Sequence, residues 1–261
     1  MSTSVQDAQA GNDKIETITN LKQLNINVEK SSYIIFGGKQ KINEIRTEIK
    51  NTPLKLNNEI IKENECEKYL GDYIHSNGIE ASTERTVNER YWRVMSSILE
   101  IKTIIEDYRA DYTGGLITGI NIWEMAVIPM MLNNAGTWDE INETTDKKLN
   151  GLQNTMLRYL LQTPRTTPIP SLSWDFGVLP IQYRIMIRKL CLAKHILSLD
   201  EKSLANEVIG KQIQLSLPGL GNELKNYIKE LNLPDITDNQ INKKCSKLMW
   251  KKKVKEAVTL K

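Results

Sequence analysis

The lysine-rich C-terminal segment carries the clearest chemical signal in the sequence. From residue 239 to the end of the chain, eight lysines stand against one acidic residue, Glu256. Four of these lysines are spaced three, four and four residues apart, which predicts that they share one side of a helix. Such a local excess of cations is typical of a surface that binds phosphate groups, and a solvated terminal helix without a partner explains it equally well. The candidate phosphate ligands in this segment are Lys244, Lys247, Lys251, Lys252, Lys253 and Lys255.

Arginines on two other predicted helices extend this basic set. Arg85, Arg90 and Arg93 lie along one flank of a long predicted helix. Arg184 and Arg188 lie on a second helix, about 200° around the axis from its apolar stripe. A basic face behind an apolar face suits a helix that follows a nucleic-acid backbone, and any solvated surface helix shows the same pattern.

The usual signatures of catalysis are missing from the sequence. It has no glycine-rich phosphate loop, no GxSxG elbow and no Asp-Asp dipeptide. The two histidines, His75 and His195, are not in a metal-binding spacing, so no metal site is predicted. The net charge of +3 is too small to indicate a partner by itself.

Composition also indicates in which cellular compartment the protein is expected. The three cysteines are far apart and odd in number, which argues against a disulfide framework and for a reducing environment. We expect no membrane partner, because we predict that no apolar run approaches the roughly 20 residues of a membrane span and the N-terminus lacks the features of a signal peptide. The expected location is intracellular, in the nucleus or the cytoplasm.

The N-terminal third mixes helices with short strands. A helix is predicted from a cap at Ser2, Thr3 or Ser4 to about Leu24, with apolar residues at every third position. Residues 32–36 predict a buried strand, and isoleucines spaced over residues 42–49 predict a short helix. Asn57-Asn58 predicts a hairpin turn, because asparagine tolerates positive φ.

The stretch of residues 67–74 marks a change in the character of the chain. Its large β-favouring residues surround Gly71, and a glycine inside a strand usually marks a bulge or a close backbone approach. With the Asn57-Asn58 hairpin it predicts a small antiparallel meander that ends at Gly78. From about Glu80 onward the pattern is helical to the end of the chain.

Apolar spacing defines the helices of the later segments. Residues spaced four, three, four, three and four apart from 87 to 105 predict a long helix, and residues 149–160 carry another. Gly114-Gly115 predicts a break between helices, and Pro129 predicts a kink or an end. The fold class is therefore α+β, mostly α, with strands confined to the N-terminal third. The predicted domains are 1–79, a small sheet unit; 80–200, a helical domain; and 201–261, a basic helical extension.

Several short stretches together resemble the reverse transcriptase of LINE-type, non-LTR retrotransposons. Residues 24–31 and the strand after them are similar to the segment downstream of that family's catalytic aspartates. Lys68-Tyr69-Leu70-Gly71 resembles its primer grip, the hairpin between palm and thumb. The stretches similar to its helical thumb are 126–129, 136–138, 149–153, 167–168 and 176–190.

The resemblance implies a C-terminal part of such an enzyme: the end of the palm, the primer grip, the thumb and a helical extension. The implied partners are an RNA template and a DNA primer, as an RNA–DNA hybrid or DNA duplex, and the implied missing parts are the N-terminal palm and the fingers. Lys30 occupies the position of a lysine that acts as a general acid in this family. Mg²⁺ is implied for an intact parent enzyme but not for this chain, whose aspartate pair is absent. We therefore expect the chain to be inactive as a polymerase by itself.

Two functions other than a reverse transcriptase fragment fit the same residues. One is a non-catalytic nucleic-acid-binding helical module, with binding carried by the arginines and terminal lysines. The other is a helical interaction scaffold with no nucleic-acid role. Binding that weakens with salt would separate these two alternatives.

Overall fold

The structure is a computed structural model of the chain and describes residues 2–107, 112–138, 141–168, 177–200, 202–216, 219–236 and 245–259. Helices take up 67% of it and strands 7%, so the predicted class, α+β and mostly α, is confirmed. The last described strand ends at His75. The chain forms two compact units, Met1–Ser82 and Thr83–Lys261.

The N-terminal unit combines helices with very short strands. Its first helix is capped by Ser4, whose hydroxyl accepts a hydrogen bond from the backbone N–H of Asp7 at 3.1 Å, as the predicted cap requires. A small apolar core of Val5, Leu54, Leu56 and Ile61 lies beneath it. The elements are α1 (Val5–Leu21), β1 (Ser32–Tyr33), α2 (Lys39–Asn51), β2 (Lys55–Leu56), β3 (Glu59–Ile60), β4 (Lys62–Glu63), β5 (Cys66–Tyr69) and β6 (Asp72–His75).

The described strands form three separate pairs rather than the predicted meander. β2 and β3 are antiparallel around Asn57-Asn58, and both asparagines have positive φ, which confirms the predicted turn. The β2–β3 and β5–β6 hairpins do not pair with each other, and β4 between them pairs in parallel with β1, so the predicted meander is wrong. The predicted buried strand over residues 32–36 is shortened to two half-buried residues, because β4 offers it only a two-residue partner.

The stretch around Gly71 is a hairpin and not one strand with a bulge. β5 and β6 are antiparallel, and the two residues between them are Leu70, with φ of 50°, and Gly71, with φ of 90°. A two-residue hairpin turn of the type favoured by strand twist needs positive φ at both positions. Gly71 therefore serves the turn, and the bulge prediction is wrong.

Polar side chains attach α1 to the β2–β3 hairpin in addition to the apolar contact of Val5. The side-chain amide of Gln9 accepts from the N–H of Lys55 at 2.8 Å and donates to its carbonyl oxygen at 3.1 Å. Asn12 donates to the same carbonyl oxygen at 3.0 Å, and Glu16 accepts from the N–H of Asn57. The amide of Gln9 thus pairs with β2 as a neighbouring strand would. The apolar residues that predicted the helix are exposed instead: Ile15, Ile18, Leu21 and Leu24.

All regular secondary structure in the described part of the C-terminal unit is helical. The long helix and the helix over residues 149–160 form as predicted, with buried residues at the predicted spacing. The predicted break at Gly114-Gly115 is wrong, because a single helix runs through both glycines. The helices are α3 (Ile79–Asp107), α4 (Tyr112–Ile122), α5 (Ile128–Met131), α6 (Glu143–Leu161), α7 (Ile181–Leu197), α8 (Leu204–Gln214), α9 (Leu220–Glu230) and α10 (Lys247–Thr259).

A π-helical turn, Trp123–Val127, joins α4 to α5 directly before Pro129. A proline ring clashes with the carbonyl four residues earlier, and a π turn widens the backbone at that position. Pro129 is therefore accommodated by a π turn rather than by a sharp kink, and the helix ends two residues after it, at Met131. Gly119 lets α4 approach its neighbours closely, because an added Cβ would lie 2.5 Å from a methyl carbon of Leu160.

The stretch Thr113–Met131 is long and apolar enough to cross a membrane, with 19 residues and a mean hydropathy of 1.2. The sequence-based expectation that no apolar run approaches this length is therefore wrong. One third of its most apolar window is buried in the protein, and Trp123 and Val127 pack in the core. Core helices of soluble proteins satisfy the same criteria, so the absence of a membrane partner stays a prediction.

Two large apolar cores, and a small cluster at Leu157 and Val178, stabilise the described part of the C-terminal unit. The first lies among α3, α4, α5, α6 and the start of α7. The second lies among α7, α8, α9 and α10, with Trp250 at its centre and 1% exposed. α7 contributes to both cores.

α7 begins one residue later than predicted. Pro180 is the residue before its first turn and not the first helical residue that the sequence predicts. This central helix also carries most of the candidate site described next.

Candidate functional site

A basic cavity of about 870 Å³ lies beside α7 in the C-terminal unit. α7 contributes Arg184, Arg188 and Cys191 to its wall, and α10 contributes Lys251 and Lys255. The sequence placed these four cations in two distant segments. The structure brings them together around one concave surface.

Packing of the adjoining face of α10, about 100° around the helix axis, directs its lysines to this cavity. Trp250, Val254 and Val258 are buried against the second core. The indole N–H of Trp250 donates to the backbone carbonyl oxygen of Leu190 at 3.1 Å, which fixes α10 against α7. Because α10 presents its apolar face to α7, the adjoining turns of the helix bring Lys251 and Lys255 to the cavity.

A close backbone approach forms the other wall. The short 3₁₀ turn Ala135–Thr137 packs on α7, and Gly136 is buried at the contact. A Cβ on Gly136 would lie 3.1 Å from the carbonyl oxygen of Arg188 and 3.1 Å from a methyl carbon of Leu192. A side chain there would require the turn or α7 to shift by a few tenths of an ångström.

The lining of this cavity carries four cations and one carboxylate among its described residues, a net charge of +3. The carboxylate, Glu124, is already engaged. Arg184 donates to it at 2.8 Å through one guanidinium nitrogen, and to the carbonyl oxygen of Leu179 at 3.0 Å through Nε. Arg184 therefore holds the π turn against α7. The excess positive charge comes from Arg188, Lys251 and Lys255.

Partial burial makes the charge of Arg188 less favourable, whereas the side chains of Lys251 and Lys255 are exposed. Burial, and then the charge of Arg184, lower the pKa of Arg188 from its usual range. Burial raises the pKa of the Cys191 thiol, and the charges of Lys251 and Lys255 oppose this rise. An arginine stays charged at neutral pH. A bound anion would offset both the lost hydration and the repulsion between the guanidinium groups.

The other lysines predicted as phosphate ligands lie outside the cavity lining. Lys247 and Lys253 are exposed on α10. Lys252 is also exposed, and its ammonium lies 3.8 Å from the carboxylate of Glu256 one turn later. Lys244 lies outside the described residues. The structure thus divides the basic segment into two lysines at the cavity and three elsewhere on the helix.

The arginines on α3 have different surroundings from one another. Arg85 is exposed. Arg93 is exposed and lies 3.1 Å from the carboxylate of Glu89. Arg90 is 8% exposed, and its Nη1 donates to the backbone carbonyl oxygen of Asn133 at 2.8 Å. It also lies over the ring of Trp138, 5.9 Å from the centroid. Arg90 therefore stabilises the end of α5, and we leave it out of the proposed phosphate ligands.

This position of Arg90 predicts a measurable effect on stability. Arg90→Met keeps the volume of the side chain but leaves the carbonyl oxygen of Asn133 without its charged donor. We expect the free energy of unfolding to fall by about 2 kcal/mol, as for a lost hydrogen bond to a charged group. Arg93→Met is the control, and urea unfolding measures both variants. Equal midpoints for the two variants would contradict a structural role for Arg90.

The remaining predicted site residues lie in the N-terminal unit. Lys68, Tyr69, Leu70 and Gly71 form the exposed end of the β5–β6 hairpin, where the ammonium of Lys68 lies 5.6 Å from the centroid of the Tyr73 ring. Lys30 is exposed at the end of the 3₁₀ turn Val28–Lys30, and its backbone N–H donates to the side chain of Asn27. The described residues contain no group of three or more His, Cys, Asp or Glu side chains that could hold a metal.

Sequence reasoning missed two residues of the cavity lining, Glu124 and Gly136, and the residue that anchors α10, Trp250. It assigned no site role to any of the three. Trp250 stands among lysines and gave no sign that it anchors α10. Its spacing of four residues from Val254, and four more to Val258, is the signal that could have identified the buried face.

Three comparisons with known proteins found no significant match. No protein-family model matches the chain, and neither a curated protein nor a solved structure is significantly similar to it.

Proposed function

We propose that this chain binds nucleic acid through its phosphate backbone, without catalysis, at the basic cavity beside α7. The observation that carries the proposal is the convergence of Arg188, Lys251 and Lys255 on one concave surface with a net charge of +3. The resemblance to LINE-type reverse transcriptases supports the same function. In that family the thumb holds the template–primer duplex, and α7 belongs to the stretch that resembles the thumb.

The cavity has two properties that favour a phosphate. Arg188 is half-buried, and a partly dehydrated guanidinium binds a phosphate more strongly than one in full solvent. The planar donors of Arg188 can hold two phosphate oxygens at once. Lys251 and Lys255, both on α10, act as mobile point charges. Contacts of this kind fix the position of a backbone and do not distinguish base sequences.

The proposal predicts binding that weakens with salt in a way that depends on the cavity. Each phosphate contact contributes about 0.9 to the slope of log affinity against log salt for duplex DNA. With about four to six contacts, the slope should be near −4 to −5. Lys251→Ala with Lys255→Ala should make it shallower by about 1.8, and adding Arg188→Gln by about 2.7 in total. Fluorescence anisotropy of a labelled duplex over about 50–200 mM salt measures this.

A charge-matched control makes this test specific to the cavity. Lys211→Ala with Lys225→Ala removes two exposed cations from α8 and α9, and it should leave the slope unchanged within error. An RNA–DNA hybrid should bind at least as well as DNA duplex if the site acts like a thumb. Binding that is weak and independent of salt would reject the proposal and favour a helical interaction scaffold. Equal slopes for the two double variants would show that the cavity is not the site.

A further inference from the structure

A large aromatic side chain is exposed on a second surface of the C-terminal unit. Trp92, on α3, is 74% exposed. The ring of Tyr91 stands edge-on to it, with 5.3 Å between the centroids and 89° between the planes. Tryptophan is highly buried on average, so a ring this exposed is a candidate binding surface when polar groups adjoin it.

A cavity of about 650 Å³ adjoins the Trp92 ring. α3 contributes Asn88 to its lining, and α6 contributes Lys147 and Lys148. The ammonium of Lys148 lies 2.5 Å from the side-chain oxygen of Asn88, which connects the two helices beside the ring. The described lining contains two cations and no carboxylate.

The charge of this lining is available to a ligand. Lys147 lies 2.5 Å from the carboxylate of Glu143, but both side chains are more than 70% exposed. Exposed ion pairs of this kind are weak, and an incoming phosphate can replace the carboxylate. Thr144 adds a hydroxyl to the same wall. The cavity therefore offers an aromatic face, hydrogen-bonding groups and two ammonium groups within one surface.

Gly151 leaves the α6 side of the cavity open. A Cβ added to this glycine would meet no atom within 4 Å. A flat ring can therefore approach between α6 and the face of Trp92. An alanine or larger residue in its place would narrow that space without removing any contact now present.

We propose that this surface, formed by Trp92, Asn88, Thr144, Lys147, Lys148 and Gly151, binds single-stranded nucleic acid. A base stacks on the Trp92 ring, and flanking phosphates lie at Lys147 and Lys148. Stacking platforms with adjacent cations are how proteins bind single strands without reading sequence. No residue of this lining belongs to the basic cavity beside α7, so the two proposals are independent.

Tryptophan fluorescence tests the stacking directly. Of the other four tryptophans, Trp123, Trp138 and Trp250 are at most 3% exposed. Trp174 lies outside the described residues and is replaced by phenylalanine in every protein of the series. Titration with oligothymidylate of about 10 nucleotides, within the range of site sizes for single-strand binders, should quench the emission of Trp92. Unchanged emission at saturating oligonucleotide would overturn the proposal.

Three variants separate stacking from charge. Trp92→Ala should weaken binding of the oligonucleotide at least about tenfold, which corresponds to about 1.4 kcal/mol. Trp92→Phe should keep most of the affinity, because phenylalanine also stacks. Gly151→Leu should weaken binding by blocking the cavity, and its circular dichroism should show an intact helical fold. Full affinity in both Trp92→Ala and Gly151→Leu would overturn the proposal.

An abasic oligonucleotide of equal length and charge provides the final comparison. It should bind the parent protein more weakly than oligothymidylate does, and the two should bind Trp92→Ala equally. Equal binding of both ligands to the parent protein would exclude base stacking. Because Lys251→Ala with Lys255→Ala leaves this surface intact, quenching should survive in that variant, even if the basic cavity proves not to bind a duplex.

Discussion

Glu223→Leu is expected to lower the free energy of unfolding by about 3–5 kcal/mol, the cost of breaking a buried ion pair by removing one partner. The ammonium of Lys189 lies 2.5 Å from the carboxylate of Glu223, and the Lys189 side chain is 0% exposed. The hydroxyl of Tyr227 donates to the other carboxylate oxygen. Removal of the carboxylate takes the counter-charge away from a fully buried ammonium group in the second core.

An exposed ion pair of the same length provides the control for Glu223. Lys211 and Glu207 also lie 2.5 Å apart, but their side chains are 63% and 54% exposed. Glu207→Leu should leave the unfolding midpoint nearly unchanged. Lys189→Met combined with Glu223→Leu should recover most of the stability, since two apolar side chains can share the space. Urea unfolding followed by circular dichroism measures all of these proteins. A loss in Glu223→Leu no larger than in Glu207→Leu would contradict the prediction.

Gly221→Ala is expected to lower the free energy of unfolding by about 2–3 kcal/mol, the second largest loss after Glu223→Leu among the variants proposed. Gly221 lies in the first turn of α9, where that helix meets the end of α8. An added Cβ would lie 2.5 Å from the carbonyl oxygen of Gln212 and 2.6 Å from its carbonyl carbon. Both atoms belong to the backbone of α8, so the clash is relieved only if one helix moves away from the other.

Gly151→Ala is the matched control for this substitution. Gly151 lies in the middle of α6, and a Cβ there meets nothing within 4 Å. Alanine favours a helix interior over glycine, so this variant should be more stable by about 0.5–1 kcal/mol. Thermal unfolding followed by circular dichroism should therefore shift in opposite directions for the two variants. Shifts of the same sign would show that the contact at Gly221 is not tight.

Local patterns predict the parts of this fold that local forces determine. The spacing from Val87 to Ile105 predicts α3 because one face of a helix must be apolar to enter a core. Asn57-Asn58 predicts its turn because the backbone of asparagine tolerates positive φ. Gly114-Gly115 failed as a break because packing around α4 outweighs the low helix propensity of glycine. The parallel pair β1–β4 could not be predicted, since its strands are short and far apart in sequence.

In the candidate site too, local sequence predicts the residue types but not how tertiary packing arranges them. The sequence identified Arg184, Arg188, Lys251 and Lys255 by type, but nothing local indicated that α10 lies along α7. Arg90 has the same local pattern as its neighbours on α3. Its burial depends on the end of α5, which lies more than 40 residues away along the chain. Tertiary contacts therefore decide which cations can meet a phosphate and which are structural.

The attachment of α1 to its hairpin has a consequence for synthesis of the chain. Gln9 bonds to Lys55, which lies 46 residues later. At about 5–20 residues per second, the ribosome needs about 2–9 s to produce those residues. During that interval α1 has emerged without its hairpin, while Ile15, Ile18 and Leu21 face solvent, as they also do in the finished protein. We therefore expect the α1 segment to present these three apolar side chains both before and after the hairpin forms, because the hairpin helps to bury Val5 but leaves them exposed.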